Sequence, residues 1–157
     1  MNIKIRKAVA SDCPAMLELV RELAAFERAP DAVTVSLEHF VETGFGKNPV
    51  WNALVAVDAG EKAEKIIGLS LSYLRYSTWK GLMLYLEDLI VTEEFRGKGI
   101  GKILFDRTIE DARNLGVYGM MWQVLDWNKP AIDFYKKYGA QISSEWMNCS
   151  LSLKPKA

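Results

Sequence analysis

The spacing of apolar residues at the start of the chain predicts a strand followed by a helix. Ile3 and Ile5 lie in a short alternating run, which is typical of a strand. Helical spacing of apolar residues follows and continues to about Glu27. Either Ser11 or Asp12 can cap the start of this helix. We therefore expect the chain to begin with a strand and one long helix.

Three apolar runs in the middle of the chain predict successive strands. A shorter helix from Ser36 to Gly44 precedes them. The predicted strands are residues 50–57, 66–74 and 82–91. A polar turn at residues 58–65 joins the first two, and a second short connection joins the last two. Consecutive strands with short connections predict an antiparallel meander.

Two more helices and their strands follow the meander. One helix ends at Gly116 and leads to a predicted strand at residues 118–125. The next helix is capped by Asn128 and ends before Gly139. Residues 141–153 predict a strand pair or one long strand at the end of the chain.

The predicted elements occur in the order β-α-α-β-β-β-α-β-α-β. This order indicates an α/β (α+β) fold with a mixed, mostly antiparallel central sheet flanked by helices. The chain has 157 residues, 50% of them hydrophobic, and no segment that resembles a linker. We therefore expect a single domain that covers residues 1–157.

A glycine-rich segment lies between the third meander strand and the next helix: Arg96-Gly97-Lys98-Gly99-Ile100-Gly101. Glycines allow a ligand close to the backbone, and the first N–H groups of a helix bind anions. The segment therefore predicts a phosphate or diphosphate site, to which Arg96 or Lys102 can add charge. It matches neither the Walker pattern nor the G-x-G-x-x-G dinucleotide fingerprint. A glycine-rich turn without a ligand is the alternative interpretation.

Two adjacent carboxylates, Glu87 and Asp88, interrupt an apolar strand. Regular alternation places Glu87 on one face with Tyr85, Leu89 and Val91, and Asp88 on the other with Leu84 and Leu86. Burying an unpaired charge is costly, so at least one carboxylate must reach water, a partner or a ligand. An ordinary salt bridge would also satisfy this requirement.

Asn128 and Tyr135 are seven residues apart in the last predicted helix. With about 3.6 residues per turn, the two residues lie on one face of that helix. A capping amide and a phenol can therefore line one groove. The alternative is that Asn128 only caps the helix and Tyr135 only packs.

Composition and charge narrow the functional classes. The chain has 20 basic and 20 acidic residues, and its formal net charge of 0 gives no bulk attraction for nucleic acid or an anionic membrane. Cys13 and Cys149 form no disulfide or zinc pattern, so we expect reduced thiols and no metal. His39 is the only histidine, which argues against a Ser-His-Asp triad. Because no leader or long apolar stretch occurs, we expect a cytoplasmic protein.

Together these segments resemble the GNAT superfamily of N-acetyltransferases, and most closely its diamine (spermidine/spermine) and thialysine branch. The resemblance covers nearly the whole chain. The segment Arg96-Gly97-x-Gly99-Ile100-Gly101 is shared by the superfamily, whereas Leu86-Glu87-Asp88 and Trp127-Asn128-x-Pro130 are more specific to the branch. Further matching segments are Ile5-Arg6-Lys7-Ala8, Asp12-Cys13, Glu22-Leu23-Ala24, Phe134-Tyr135-Lys136 and Gly139-Ala140.

The resemblance implies acetyl-CoA as the cofactor and assigns roles to matching positions. Tyr135 would be the general acid, and Glu87 would help to take the proton from the amine through water. The implied cofactor-binding residues are Leu89, Ile90, Val91, Arg96, Gly97, Lys98, Gly99, Ile100, Gly101, Lys102, Asn128, Pro130, Ala131 and Tyr135. The implied acceptor-site residues are Phe26, Glu27, Glu87, Asp88, Met121, Trp122, Gln123 and Glu145.

The resemblance also implies the kind of acceptor, a small-molecule amine. The chain carries Arg28, Pro30 and Ser77-Thr78 where polyamine enzymes are more acidic, and this favours a diamine, thialysine or a lysine-like amine. A protein or peptide acetyltransferase and a non-catalytic acetyl-CoA sensor are the alternatives. The family further implies a homodimer that is joined partly through the C-terminal strand region.

Overall fold

A mixed sheet forms the centre of the fold. The computed structural model describes residues 2–60 and 64–153. Across these residues five strands lie side by side in chain order. They are β1 (Ile3–Lys7), β2 (Asn52–Ala59), β3 (Glu64–Ser77), β4 (Gly81–Val91) and β5 (Gly119–Met121). The first four pair antiparallel, and β5 runs parallel to β4. The mixed, mostly antiparallel sheet and its meander are therefore confirmed.

Four helices accompany the strands, and two of them begin with the predicted caps. They are α1 (Cys13–Phe26), α2 (Leu37–Phe45), α3 (Ile100–Asn114) and α4 (Lys129–Lys136). Ser36 Oγ accepts a hydrogen bond from the N–H of His39 at 3.1 Å, which caps α2. Asn128 Oδ1 accepts one from the N–H of Ala131 at 3.3 Å, which caps α4. Satisfying these N–H groups stabilises each helix start.

The predicted side-chain cap of α1 is wrong. Asp12 occupies the N-cap position, but no side chain caps this helix. Its carboxylate instead accepts a hydrogen bond from the N–H of Val9 at 2.8 Å and pairs with Arg6 at 2.7 Å. The carboxylate therefore ties β1 to the turn before α1. Both carboxylate oxygens are engaged in this way, since Arg6 Nη2 also lies 3.1 Å from Asp12 Oδ1.

The helices cover both faces of the sheet. On one face, called here the α1 side, Met16 and Leu17 of α1 and Phe40 of α2 pack against Val55 and Leu69. On the opposite face, the α3 side, Ile100 and Leu104 of α3 pack against Leu54, Ala56 and Ile67. Both faces of the central strands are thus buried, which explains their almost continuous apolar sequence.

A glycine lets α3 approach the sheet closely. A Cβ placed on Gly68 of β3 would lie 2.9 Å from Leu104 Cδ1 and 3.1 Å from the carbonyl oxygen of Ile90. Next to it, the buried hydroxyls of Ser70 and Thr108 hydrogen-bond to each other at 2.7 Å. This bond satisfies two polar groups that would otherwise be costly inside the protein.

A β-bulge interrupts β4 at the two carboxylates. Leu71 of β3 is paired with Asp88, whereas the next residue, Ser72, is paired with Leu86. Glu87 is therefore an extra residue in β4 with no partner in the register. A bulge re-aims the side chains on either side of it.

The bulge makes the predicted separation of the two carboxylates wrong. Leu89 and Val91 pack on the α3 side, while Ile90 packs on the α1 side. Asp88 alternates with Leu89, so its side chain shares the α1 side with Ile90. Glu87 acts electrostatically on Tyr73, which packs against the α1-side core. Both carboxylates therefore lie on the α1 side.

The chain divides into two compact units, one ending at Gln123 and the other beginning at Val124. The first contains the sheet with α1, α2 and α3, and the second contains α4. Strand β5 is shorter than the predicted 118–125. No strand forms in residues 141–153, so that prediction is wrong. Trp146 and Met147 are 82% and 89% exposed, and without burial or a pairing partner a strand is not stable.

The predicted turn at residues 58–65 lies partly outside the described residues, since 61–63 are not described. On either side of this gap, β2 continues to Ala59 and β3 begins at Glu64. Among the described residues, no helix combines the length and the apolar character required to cross a bilayer.

Candidate active site

The segment after β4 ends in an open, uncapped helix start. Gly99 is the N-cap residue of α3, with φ 79° and ψ 0°, and no side chain caps this helix. Gly97 also has a positive φ, of 73°. A Cβ on either glycine would meet no protein atom within 4 Å. The glycines thus leave the start of α3 uncovered, and the first N–H groups of a helix lie at the positive end of its dipole. This arrangement fits the diphosphate of a nucleotide-like group.

Arg96 braces this segment instead of facing the helix start. Its Nε donates to the carbonyl oxygen of Val91 at 2.8 Å, and its Nη2 lies 3.1 Å from Glu22 Oε1. The same Glu22 oxygen accepts from the N–H of Glu93 at 2.9 Å. The guanidinium also lies over the ring of Phe26 at 5.3 Å. A carboxylate of α1 therefore holds the segment between β4 and the glycines.

Two lysines, one in the glycine-rich segment and one in the first turn of α3, have exposed side chains. Lys98 Nζ lies 4.7 Å from the ring centroid of Phe95. Lys102 Nζ lies 2.6 Å from Asp106 Oδ2, one helical turn further along α3. Both ammonium groups are on long exposed stems, so they can turn toward an anion at small cost.

A carboxylate patch, formed by Glu27, Glu87 and Asp88, lies on the α1 side of the sheet. Glu27 follows the last residue of α1, Glu87 is the exposed bulge residue, and Asp88 is partly buried beside it. Burial is the largest cause that raises the pKa of Asp88 to about 6, followed by the charges of Glu87 and Glu27. Burial also raises the pKa of Glu27. Like charges this close favour a cationic ligand.

A tyrosine pair adjoins the carboxylate patch. The rings of Tyr73 and Tyr85 stack with centroids 5.2 Å apart, on neighbouring positions of β3 and β4. Burial, followed by the charge of Glu87, raises the pKa of each phenol, while the charge of Arg75 lowers it. The two rings therefore form a wall with Glu87 near one end and Arg75 near the other.

Two predicted acceptor-site residues, the last residue of β5 and the residue after it, lie on different faces of the sheet. Met121 is paired with Tyr85 in the register, and its Sδ lies 3.6 Å from Arg75 Nη1 on the α1 side. Trp122 instead packs edge-on against Phe105 of α3, with centroids 5.5 Å apart. Met121 thus lies beside the tyrosine pair, whereas Trp122 belongs to the α3 side.

The second unit carries the predicted site residues that lie on and after α4. Asn128, Pro130 and Ala131 form its first turn, and the Asn128 side chain caps it. Tyr135 is buried and lies edge-on to Phe134, with centroids 5.3 Å apart. Glu145 is exposed in the segment that forms no strand. Their roles stay predictions.

Asp88→Asn is expected to stabilise the protein at neutral pH. Because the pKa of Asp88 is about 6 in the native state and 3.8 for an ordinary aspartate, the native state holds an extra proton between these pH values. Stability contributed by Asp88 therefore falls as pH rises from about 4 to 6. The raised pKa of Asp88 corresponds to a loss of at most about 3 kcal/mol from the free energy of unfolding at pH 8. Below pH ~4 it causes no loss. Urea unfolding at several pH values measures the difference.

The exposed Asp31 provides the matched control for this carboxylate substitution. Asp31→Asn should leave the free energy of unfolding unchanged over the same pH range. A stability gain for Asp88→Asn that is the same at pH 4 and pH 8 would contradict the electrostatic explanation.

Sequence reasoning missed Tyr73, Tyr85, Arg75 and the bracing role of Glu22. Each depends on strand register or on a helix packed across the sheet, neither of which a sequence pattern reports directly. The sequence signal that could have identified them was Tyr85, two positions before Glu87, together with Tyr73 in the preceding strand.

By fold and site, the protein is one that can hold an anion at a helix start and a cation at carboxylates on the neighbouring strand. Residues 15–140 match the acetyltransferase (GNAT) family. The chain therefore belongs to this family, as the sequence resemblance predicted. Acetyltransferases of this family use acetyl-CoA.

Individual relatives support the same assignment. The chain is 42% identical over 147 residues to a thialysine N-epsilon-acetyltransferase of Bos taurus, covering 91% of this chain and 86% of the relative. It is 37% identical over 146 residues to the human spermidine/spermine N(1)-acetyltransferase-like protein 1, covering 90% of this chain but only 21% of that protein. Relatives of this kind identify the protein as an N-acetyltransferase enzyme.

A solved structure shows the same fold at lower identity. An aminoglycoside acetyltransferase from an uncultured soil metagenomic sample, crystallised with trehalose, superposes with a TM-score of 0.76 at 22% identity, covering 97% of each chain. Within residues 2–60 and 64–153, no group of His, Cys, Asp and Glu side chains is arranged to hold a metal ion.

Proposed function

We propose that the enzyme transfers the acetyl group of acetyl-CoA to a primary amine of a small molecule. The acceptor class comprises diamines, polyamines, thialysine and lysine-like amines. The observation that carries the proposal is the open start of α3 at Gly97 and Gly99, joined through one braced segment to the strand that bears Glu87 and Asp88. Donor and acceptor sites thus share β4.

The glycine segment would hold the diphosphate of acetyl-CoA through backbone N–H groups from Gly97 to Lys102. When bound, acetyl-CoA supplies an acetyl group activated as a thioester. Leu89, Ile90 and Val91 would border its pantetheine arm, and Asn128 would contact the arm from α4. Arg96 would act here by positioning the segment, because its guanidinium is already engaged by Glu22 and the carbonyl of Val91.

The carboxylate patch would attract the acceptor and prepare it to react. An alkylamine is mostly protonated near neutral pH, since its pKa is about 10, and only the free amine is a nucleophile. Glu87 is exposed at the bulge, where it can accept the amine proton through a water molecule. Asp88 and Glu27 would hold the positive charge of the acceptor.

Tyr135 would donate a proton to the sulfur that leaves. A phenol at this position matches the family segment Phe134-Tyr135-Lys136. Direct attack by the amine requires no covalent enzyme intermediate, so one base and one acid are sufficient. Glu87 and Tyr135 fill these two roles.

The proposal is tested by measuring thiol release from acetyl-CoA against diamines, polyamines, thialysine, lysine and a peptide. We expect release with small amines, and at least about 100-fold slower release by Glu87→Gln, at the lower end of the range of about 10²- to 10⁴-fold for acid–base residues. The variant should still bind acetyl-CoA. Release with the peptide alone would indicate a peptide acetyltransferase, and acetyl-CoA binding without release would indicate a sensor; either result would overturn the proposal.

A further inference from the structure

Arg75 is placed on β3 so that its guanidinium adjoins the tyrosine pair. The guanidinium carbon lies 5.9 Å from the ring centroid of Tyr85, and Nη1 lies 3.6 Å from Met121 Sδ. Arg75 is opposite Met83 in the register, and Tyr73 and Tyr85 are the pair two positions further along. The side chain therefore leans along the strands toward the carboxylate patch.

The charge of Arg75 has no anionic partner in the part of the chain that the structure describes. By contrast, ion pairs with carboxylates are formed by Arg6, Arg21, Arg96 and Arg107. No carboxylate of residues 2–60 and 64–153 lies within ion-pair distance of Arg75, whose contacts are a ring face and a thioether. Its N–H fork, suited to bidentate binding of a carboxylate, is left available.

Two opposite charges flank the tyrosine pair. The negative charge of Glu87 raises the pKa of both Tyr73 and Tyr85, and the positive charge of Arg75 lowers the pKa of both. Both charged groups are therefore close to the same two rings on the same side of the sheet. A ligand lying over these rings can contact Arg75 with one end and the carboxylates with the other.

The arrangement of charges suits an amino acid with an amine at the end of its side chain. Arg75 lies at the Met83 end of the tyrosine pair, and Glu87 lies beyond Tyr85 at the opposite end. Such an amino acid carries a carboxylate at one end and a cationic amine at the other. A diamine would place a second cation near Arg75, and like charges repel.

We propose that Arg75 determines acceptor specificity by binding the α-carboxylate of an amino acid whose terminal amine is acetylated at the carboxylate patch. The inference rests on the proposed function and narrows it from small amines in general to amino acids. The aliphatic part of the acceptor would lie along the tyrosine pair, and Met121 would support the guanidinium.

The test compares lysine with lysinamide and with 1,5-diaminopentane, which carry the same terminal amine without the carboxylate charge. For the wild type we expect kcat/KM for lysine to exceed that for lysinamide at least tenfold. Arg75→Gln should lower kcat/KM for lysine about 10- to 30-fold, as expected for a lost charge-assisted hydrogen bond. The same variant should leave kcat/KM for lysinamide unchanged and raise it for the diamine.

Arg113→Gln is the matched control, since Arg113 is exposed at the end of α3 and lies outside the site. It should keep the wild-type lysine to lysinamide ratio. The specificity role would be overturned if Arg75→Gln lowered kcat/KM equally for lysine and lysinamide, or if the wild type preferred the diamine. The acetyltransferase function would stand in either case. Absence of thiol release with every amine would instead refute the proposed function, which separates the two failures.

Discussion

Tyr135→Phe is expected to lower kcat for thiol release at least about 100-fold, because loss of a positioned general acid costs about 10²- to 10⁴-fold. The ring remains, so packing against Phe134 is retained. Acetyl-CoA affinity, measured by calorimetry, should not change. Steady-state thiol release at saturating acetyl-CoA and amine measures kcat.

Tyr138→Phe is the control, because Tyr138 follows α4 closely and packs against the same Phe134 with centroids 5.3 Å apart. It removes a phenolic hydroxyl from the same unit without touching the assigned acid. An unchanged kcat in Tyr135→Phe would remove the role assigned to this phenol, and a parallel loss of acetyl-CoA affinity would assign it to binding.

Gly99→Ala is expected to weaken acetyl-CoA binding about 30- to 100-fold, equivalent to about 2–2.7 kcal/mol. Gly99 has φ 79°, where a Cβ is strained, and that Cβ would stand in the open space before the first turn of α3. A diphosphate would lose charge-assisted bonds to the backbone N–H groups, each contributing about 1.5–3 kcal/mol. Calorimetric titration of acetyl-CoA measures the change.

Gly116→Ala separates backbone strain from ligand exclusion. Gly116 follows α3, has φ 67° and would also place its Cβ in open space. Both substitutions should reduce stability by a similar amount, about 1–2 kcal/mol, while Gly116→Ala keeps wild-type affinity for acetyl-CoA. Equal affinities for the two variants would show that the start of α3 does not hold the donor.

The carboxylate patch illustrates how a local pattern identifies residues but misplaces them. Two charges inside an apolar strand marked Glu87 and Asp88 as candidates for a ligand or an ion pair, because an unpaired charge is costly to bury. Alternation then assigned them to opposite faces. The bulge reversed this assignment, and a bulge depends on how β3 pairs with β4, which β4 alone does not specify.

The C-terminal segment illustrates a second limitation, in which a local pattern predicts an element that does not form. Residues 141–153 have the composition of a strand, yet they form none, because strand pairing depends on a neighbour and not on propensity alone. Its outcome was therefore decided by tertiary contacts that no local pattern contains.

By itself the sequence determined the helices, the meander, the glycine-rich helix start and the family. These features depend on apolar periodicity, capping residues and glycine conformations, all of which act over a few neighbouring residues. The tertiary structure alone decided that Glu22 holds Arg96, that both carboxylates share one side of the sheet, and that Arg75 reaches Tyr85. Those contacts join residues far apart in the chain, and their geometry depends on strand register and helix packing.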